Sequence, residues 1–559
     1  MSWRRGATGS CRPATSPNQH ASAPNPQEPA TLDHYEDVPY QSIPFPDTHP
    51  AHLAVIGRLF GLSPADPARA RVLELGCAAG GNLIPLAWYQ RGGRYLGIDL
   101  APNQVADGQA LIDRLGLTNC ALRAGDILDL NAHLGEFDYI VAHGVYSWVP
   151  EPVRRHLLRL CRDLLALHGI AYISYNTLPG WRMRGMLRDL LQYAARGAET
   201  AEAKLAAAHA AMARMAAAVD GLDALSARYL KTELASLKGT HPSYLLHEYM
   251  AAENTAFLLR DFIADAADQG LTYIADTELQ TLFPAVLGEG VERALGGIED
   301  QIEIEQWHDF VANRNFRRSL LCRDDAPMVE RIDFDAFEAM AFSADLTPPN
   351  KLDLRRAKPA NFHQTNGATL NVSHPLTKAA LVHLAGVHPD ALTLADLYHV
   401  AARMVSQGGG GAQAQETAAF SSELFSLFAH RAVRAHPSPL AYHRAVGDRP
   451  ATSRLARAQA AAGWSHVTGV HHTGLDLDPI STRLVGLLDG TRDLDALTRE
   501  IADELAGGTL PPPPGLDPQR LSREHLAQQV RAACGRLLGL FARHGVLISG
   551  QPIARGPQA

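Results

Sequence analysis

Short apolar runs alternate with stretches of helical period between residues 71 and 176. The runs near 71–76, 94–99, 120–123, 137–142 and 169–175 predict strands, and the segments between them predict helices. Ahead of them Leu53, Ile56, Leu59 and Phe60 recur near helical spacing, which predicts a helix from about Ala51 to Gly61. Five strands joined by helical crossovers make an open parallel sheet. After Trp181 the pattern becomes Ala-rich, with Leu205, Ala208, Met212, Met215, Val219 and Leu222 at helical spacing. This predicts a helical insertion over about 184–268, with Gly221 and Gly239 interrupting or ending helices and a last helix running through Phe257 and Leu258 to Ala267. Two more strand-like runs follow, Leu271–Ala275 and Phe316–Cys322, separated by largely helical sequence.

A second unit starts near Ile332. Its segment Asn361–Val372 carries an Asn366-Gly367 hairpin signal between strand-like arms. Helical sequence is expected from Pro375 to Met404, then a flexible linker, Ser406–Gly411. A third unit, from about Ala441 to Ser549, reads as a strand-like piece near 465–473, helices, a break at Pro511–Pro514 and helices to Leu547. The expected division is a disordered Pro/Ser/Ala-rich tail over 1–32, a main α/β domain over 33–325, a middle α+β regulatory or docking domain over 326–436 and a C-terminal α+β domain over 437–559. Both later units suit small winged-helix-like modules. Docking is preferred over DNA binding for them because neither shows a dense basic helix.

Length and charge narrow the picture. A chain of 559 residues exceeds what one core normally holds. A formal charge of −8 argues against general nucleic-acid binding. The six cysteines are scattered with no C-x-x-C spacing, which reads as buried small apolar residues in a reducing compartment. No apolar run approaches the ~20 residues of a membrane span, and Met1–Arg5 is not followed by a signal-peptide core. A cytoplasmic protein is the expectation.

The strand ends carry the chemistry. The run Val72–Asn82 takes an apolar strand into a glycine-rich turn, and Tyr95–Leu100 is a second apolar strand ending on Asp99. That layout is how a doubly wound, Rossmann-like sheet holds a nucleoside-containing cofactor. Asp99 is placed to accept from ribose hydroxyls. A dinucleotide would find Glu74, two residues before Gly76, repulsive to its pyrophosphate. S-adenosylmethionine (SAM) carries an amino-acid end and a sulfonium, so a nearby acid favours it. A third strand ends on Asp126 and Ile127, an acid to accept from the adenine amino group and an apolar face to pack on it. Acids at three successive strand ends therefore point to SAM. The candidate cofactor contacts are Glu74, Gly76, Cys77, Ala78, Gly80, Asn82, Asp99, Leu100, Gln104, Asp126, Ile127 and His143.

With these motifs the chain resembles bacterial class I SAM methyltransferases that carry a methyltransferase regulatory domain, including the rickettsial protein lysine methyltransferases. The resemblance rests on Tyr40–Pro50, the 72–82 loop, Ala142–Pro150, Ser174–Trp181, His247-Glu248-Tyr249 and Asn313–Arg317. It implies a seven-stranded sheet ending in an antiparallel pair, with 271–275 and 316–322 as the last two strands. It also implies methyl transfer to a protein lysine, with the later domains engaging the substrate. Ala78 stands where many methyltransferases have glycine.

The loop after the fourth strand faces the methyl group in this fold. It offers His143, Tyr146 and Trp148 as catalytic candidates. His143 is read either as a proton acceptor or as a structural hydrogen-bonder, and Tyr146 and Trp148 either as aromatic walls for an alkylammonium or as packing. Tyr175, Asn176 and Trp181 would flank the same opening, and Tyr35, Tyr40 and Phe45 would close over it. His241, His247 and Glu248 have poor spacing for a metal, and His471-His472 reads as an isolated pair, so no metal site is expected. Arg314, Arg317, Arg318 and Arg323 are expected on a solvated strand edge. Two other functions stay open: a small-molecule methyltransferase with the insertion as a lid, and a non-enzymatic SAM-responsive regulator.

Overall fold

The computed structural model describes residues 42–365, 367–408, 416–440 and 446–548. Tyr35, Tyr40, the 1–32 tail, Asn366 and the glycines after Gly408 in the expected linker lie outside the described residues. A seven-stranded sheet occupies the first part, with strands β1 (Arg71–Leu75), β2 (Arg94–Asp99), β3 (Cys120–Ala124), β4 (Phe137–Ala142), β5 (Leu165–Asn176), β6 (Leu271–Asp276) and β7 (Phe316–Arg323) in the order 3-2-1-4-5-7-6. β1 to β5 run parallel, and β7 lies antiparallel between β5 and β6. The order reverses between β1 and β4, so a crevice opens at the carboxyl ends of those two strands.

β7 sits inside the sheet, which overturns the expectation of a solvated arginine edge. Arg317 is fully buried and meets Asp309 at 2.8 Å, Glu305 at 3.1 Å and Asp276 at 3.5 Å. Its neighbour Arg318 reaches Glu278 at 2.9 Å and Asp47 at 3.6 Å. A guanidinium spreads its charge over a planar fork, which suits several carboxylates at once.

The helices Gly180–Ala195, Ala201–Val219 and Leu225–Leu237 form the insertion around a small core of their own. Gly221 (φ +76°) and Gly239 (φ +82°) follow two of them in left-handed turns. The last helix starts at Leu259, not at Phe257. Phe257 is instead extended: its amide donates to the Asn176 carbonyl, and it bridges Thr177 beside the end of β5.

Beyond the sheet, Ala360–Gln364 and Thr369–Val372 pair antiparallel as the hairpin signal predicts. The expected helix over 375–404 is two helices, Pro375–Val387 and Leu394–Gln407. Pro389 explains the break, since it lacks an amide donor and disfavours helical backbone at His388. The apolar residues of this middle segment, such as Phe337, Phe342, Phe362 and Phe420, belong to one continuous core with Val72, Tyr139 and Tyr172 of the sheet. The C-terminal segment has a separate core built on Leu484, Leu497, Ile501, Val530 and Phe541. The five described cysteines are all buried thiols. No helix among the described residues is long and apolar enough to cross a membrane.

Candidate active site

Glu74, near the end of β1, is buried, and its Oε1 accepts from Asn82 Nδ2 at 2.9 Å. Its Oε2 is buried with no hydrogen-bond partner. Burial, with Asp99 nearby, pushes its carboxyl up to about 8 against the pull of the Asn82 bond. A carboxyl in this state gains most from a cationic partner, because pairing offsets the cost of removing the charge from water.

The turn after β1 is tight. Gly76 has φ +75°, and a Cβ there would lie 2.6 Å from Val145 Cγ2. The absent side chain therefore lets the β1 turn press against the turn after β4. Ala78 takes φ +48°, a left-handed conformation that suits glycine better. Asp99 holds it there, accepting from Ala78 N at 2.7 Å and from Ala101 N at 2.9 Å. Cys77 is buried under the turn. Gly80 (φ +73°) packs on Leu122 and Ile84.

Leu100 is 42% exposed beside Asp99, and Gln104 is buried in the following helix. Asp126 accepts from Leu128 N at 2.9 Å, and Ile127 is half-buried in the short turn after β3. Candidates from the ends of β1, β2 and β3 thus line one edge of the sheet. A buried, partnerless carboxylate oxygen, exposed backbone at a glycine turn and an exposed leucine fit the amino-acid, ribose and adenine parts of a SAM-type group.

His143 follows β4. Its Nδ1 lies 2.9 Å from Tyr172 Oη and 3.3 Å from Ser174 Oγ, and Ser174 Oγ also accepts from Gly144 N at 2.8 Å. Burial, helped by the Arg318 charge, holds the imidazole down to about 3, so the ring is neutral at physiological pH. Phe45 packs against it at 3.9 Å between centroids with the rings tilted by 36°, and the Phe45 amide donates to Asn82 Oδ1 at 2.9 Å. Phe45 therefore touches both the β1 turn and His143. Its arm is pinned by Asp47, which meets Arg431 of the middle segment at 2.7 Å.

Two candidates sit elsewhere than expected. Tyr175 is buried, stacked on Phe262 at 4.1 Å with its hydroxyl 3.0 Å from Ser319 Oγ. Alternation along β5 is the reason: Tyr172 and Ser174 share the face toward His143, and Tyr175 takes the opposite one. Tyr146 is likewise 1% exposed, packed against Phe257 and Phe262, with its hydroxyl donating to Asp265 at 3.2 Å. It is a core aromatic and not a wall of the opening.

Asn176 is buried, donating from Nδ2 to Asn254 Oδ1 at 3.0 Å and from its backbone to Ser147 Oγ at 2.8 Å. Trp148 is half-buried and meets the buried Trp181 edge-on at 6.3 Å. Sequence reasoning missed Tyr172 and Ser174, whose signal was the period-2 pattern of the strand. It also missed His472, which reaches Asn82 Oδ1 at 2.7 Å from the C-terminal segment. Nothing local in the sequence announced that contact.

Comparison with known proteins bears on the fold and the family. Three family models match: a methyltransferase domain over residues 72–169, a methyltransferase regulatory domain over 241–323 and the PKMT C-terminal winged helix domain over 448–546. The regulatory-domain match thus falls on the segment that supplies β6 and β7, and not on the middle unit. The chain is 37% identical to the uncharacterized protein RP028 of Rickettsia prowazekii over 42% of this chain and 93% of that protein. It is 34% identical to RP789 of the same organism over 62% of this chain, a match that spans 64% of RP789.

Among solved structures, PKMT2 from Rickettsia typhi superposes with a TM-score of 0.79 at 27% identity, covering 91% of this chain and all of that one. The same protein in complex with AdoHcy gives 0.80 at 28% identity, with the same coverage of this chain. The chain belongs to the bacterial class I SAM-dependent methyltransferases that carry a methyltransferase regulatory domain.

Proposed function

We propose that this protein transfers a methyl group from SAM to the side-chain amine of a protein lysine. The observation that carries the reading is Phe45, which ties the donor turn to His143 through its amide and its ring. Donor and acceptor elements are thereby fixed in one geometry, which is what an in-line displacement requires. SAM supplies a sulfonium-activated methyl; the amine nitrogen bonds to that carbon as the sulfur–carbon bond breaks, leaving S-adenosylhomocysteine (SAH).

On this reading Glu74 meets the donor's amine and Asp99 its ribose. Leu100, Asp126 and Ile127 frame the adenine, and the glycine turn supplies backbone. Lysine must arrive uncharged, from a reference pKa of ~10.4. An imidazole held near 3 does not retain a proton taken from an ammonium, so His143 is not the terminal base. With Nδ1–H donating to Tyr172 Oη, its Nε2 lone pair instead orients the acceptor N–H, and the proton leaves to water. Trp148, Trp181 and Asn176 stand behind this opening as support. The donor machinery is assigned to the domain over 33–325 and substrate engagement to the units over 326–436 and 437–559. The relation to the rickettsial PKMT2 structures at 27–28% identity supports the lysine acceptor.

Incubation with tritiated-methyl SAM and fractionated cell lysate tests the reading. Label in discrete protein bands that release methyl-lysine on hydrolysis is the expected result. Label confined to small molecules would replace the acceptor assignment.

A further inference from the structure

The turn between strands His466–Thr468 and Gly474–Asp476 of the C-terminal segment points a histidine into the donor site. His472 sits there at φ +57° and is buried. The turn is held from behind: Val470 N donates to the Gly545 carbonyl, and a Cβ on Gly469 would lie 2.0 Å from the His544 carbonyl oxygen. His472 is therefore not a loose surface side chain that happens to reach the neighbouring unit.

Its partner is Asn82, whose side chain has only one arrangement that satisfies its neighbours. The Phe45 amide and His472 Nε2 lie 2.9 and 2.7 Å from one amide atom, Oδ1. The backbone N–H can only donate, so that atom is the oxygen, and His472 must carry its proton on Nε2. Burial and the nearby His49 keep this imidazole neutral, and its buried Nδ1 has no hydrogen-bond partner. The nitrogen of Asn82 then donates to Glu74 Oε1 at 2.9 Å and to Thr48 Oγ1 at 3.0 Å. Glu74 Oε2 is left buried and unpaired.

We propose that His472 is a positioning residue of the donor pocket, holding the Asn82 amide so that the Glu74 carboxylate faces the amine of the bound donor. The inference rests on the assignment of Glu74 to that amine. It makes the C-terminal segment part of the cofactor site. By linkage, donor binding also stabilises the seating of the 469–473 turn.

The test uses the full chain, SAH titrated by calorimetry, and three variants. His472→Leu fills the space without an N–H donor, and His472→Gln restores one. Tyr89→Phe removes a separate hydrogen bond between the two units, the one Tyr89 Oη donates to the Thr468 carbonyl at 3.0 Å. Loss of one buried donor predicts about tenfold weaker SAH binding for His472→Leu. Its kcat at saturating SAM stays within about threefold of the wild type, since only donor binding is affected. His472→Gln recovers most of the affinity, and Tyr89→Phe binds as the wild type does.

Unchanged affinity in His472→Leu overturns the proposal, and so does an equal loss in Tyr89→Phe, which would credit unit docking in general. Failure of the wild type itself to bind SAH would refute the donor-site reading instead. Hydrogen exchange of the wild type decides independently of whether any variant folds: SAH slows exchange over 469–473, and no change there would count against His472.

Discussion

The donor and acceptor sides proposed for this candidate active site are built from different materials. On the donor side the contacts are backbone and carboxylate, fixed at the ends of β1 and β2 by short bonds such as Asp99 to Ala78 N. On the acceptor side a neutral histidine rests on Tyr172 and Ser174, while Tyr146 and Tyr175 face the opposite core. The difference follows from what each side must recognise. A cofactor of constant shape is met by groups locked to the sheet. On the proposed reading the acceptor needs a small reactive surface, here one imidazole held by Tyr172, Ser174 and Phe45.

The largest separation of the two sides should come from Asp99→Ala. It removes both the proposed ribose acceptor and the two bonds that hold Ala78 and Ala101, and SAH affinity should fall by about 100-fold in calorimetry. His143→Ala should do the reverse. We expect kcat about 30-fold lower, with SAH affinity within about threefold of the wild type, if His143 orients the acceptor and not the donor as proposed. An equal loss of SAH binding in His143→Ala would merge the two sides into one.

pH sharpens the contrast next. Glu74 has its carboxyl pushed up to about 8 in the cofactor-free protein. If the donor amine pairs with the ionised form, SAH affinity should rise about tenfold per pH unit below that value and level off above it. The same raised pKa means that the Glu74 carboxyl's own contribution to the stability of the free protein is fully present below the unfolded value of 4.5 and is lost as pH rises toward about 8. Glu74→Gln should flatten the affinity profile and remove this one contribution to stability, and a retained affinity slope in that variant would assign the slope to another group. Tyr146→Phe should have the smallest effect. Losing one hydroxyl contact with Asp265 costs about 1 kcal/mol of unfolding free energy, read by urea titration, with kcat unchanged within about twofold. A large fall in kcat would return Tyr146 to the acceptor side.

The proposed donor half was legible because its residues are local. Glu74, Gly76 and Asn82 lie on one strand-turn-helix unit, and Asp99 ends the next strand, so spacing alone brings them together. The acceptor half was only partly legible. His143 follows from its place after β4, but Tyr146 and Tyr175 are tyrosines whose burial depends on Phe257 and Phe262, far along the chain. Phe257 left its expected helix for the same reason, since its amide and ring are both engaged beside the end of β5. The arginines of β7 read as a polar edge because period-2 patterning does not show that carboxylates at 276, 305 and 309 converge on Arg317.

By itself the sequence determined the sheet, the donor turn and the acids at the strand ends, because these depend on residue spacing and on the backbone freedom of glycine. The tertiary structure alone decided which side of β5 faces the site, how a buried arginine is neutralised, and that a histidine 390 positions away from Asn82 reaches its side-chain oxygen. Those outcomes depend on burial and on hydrogen bonds across long sequence separations, which no local pattern encodes.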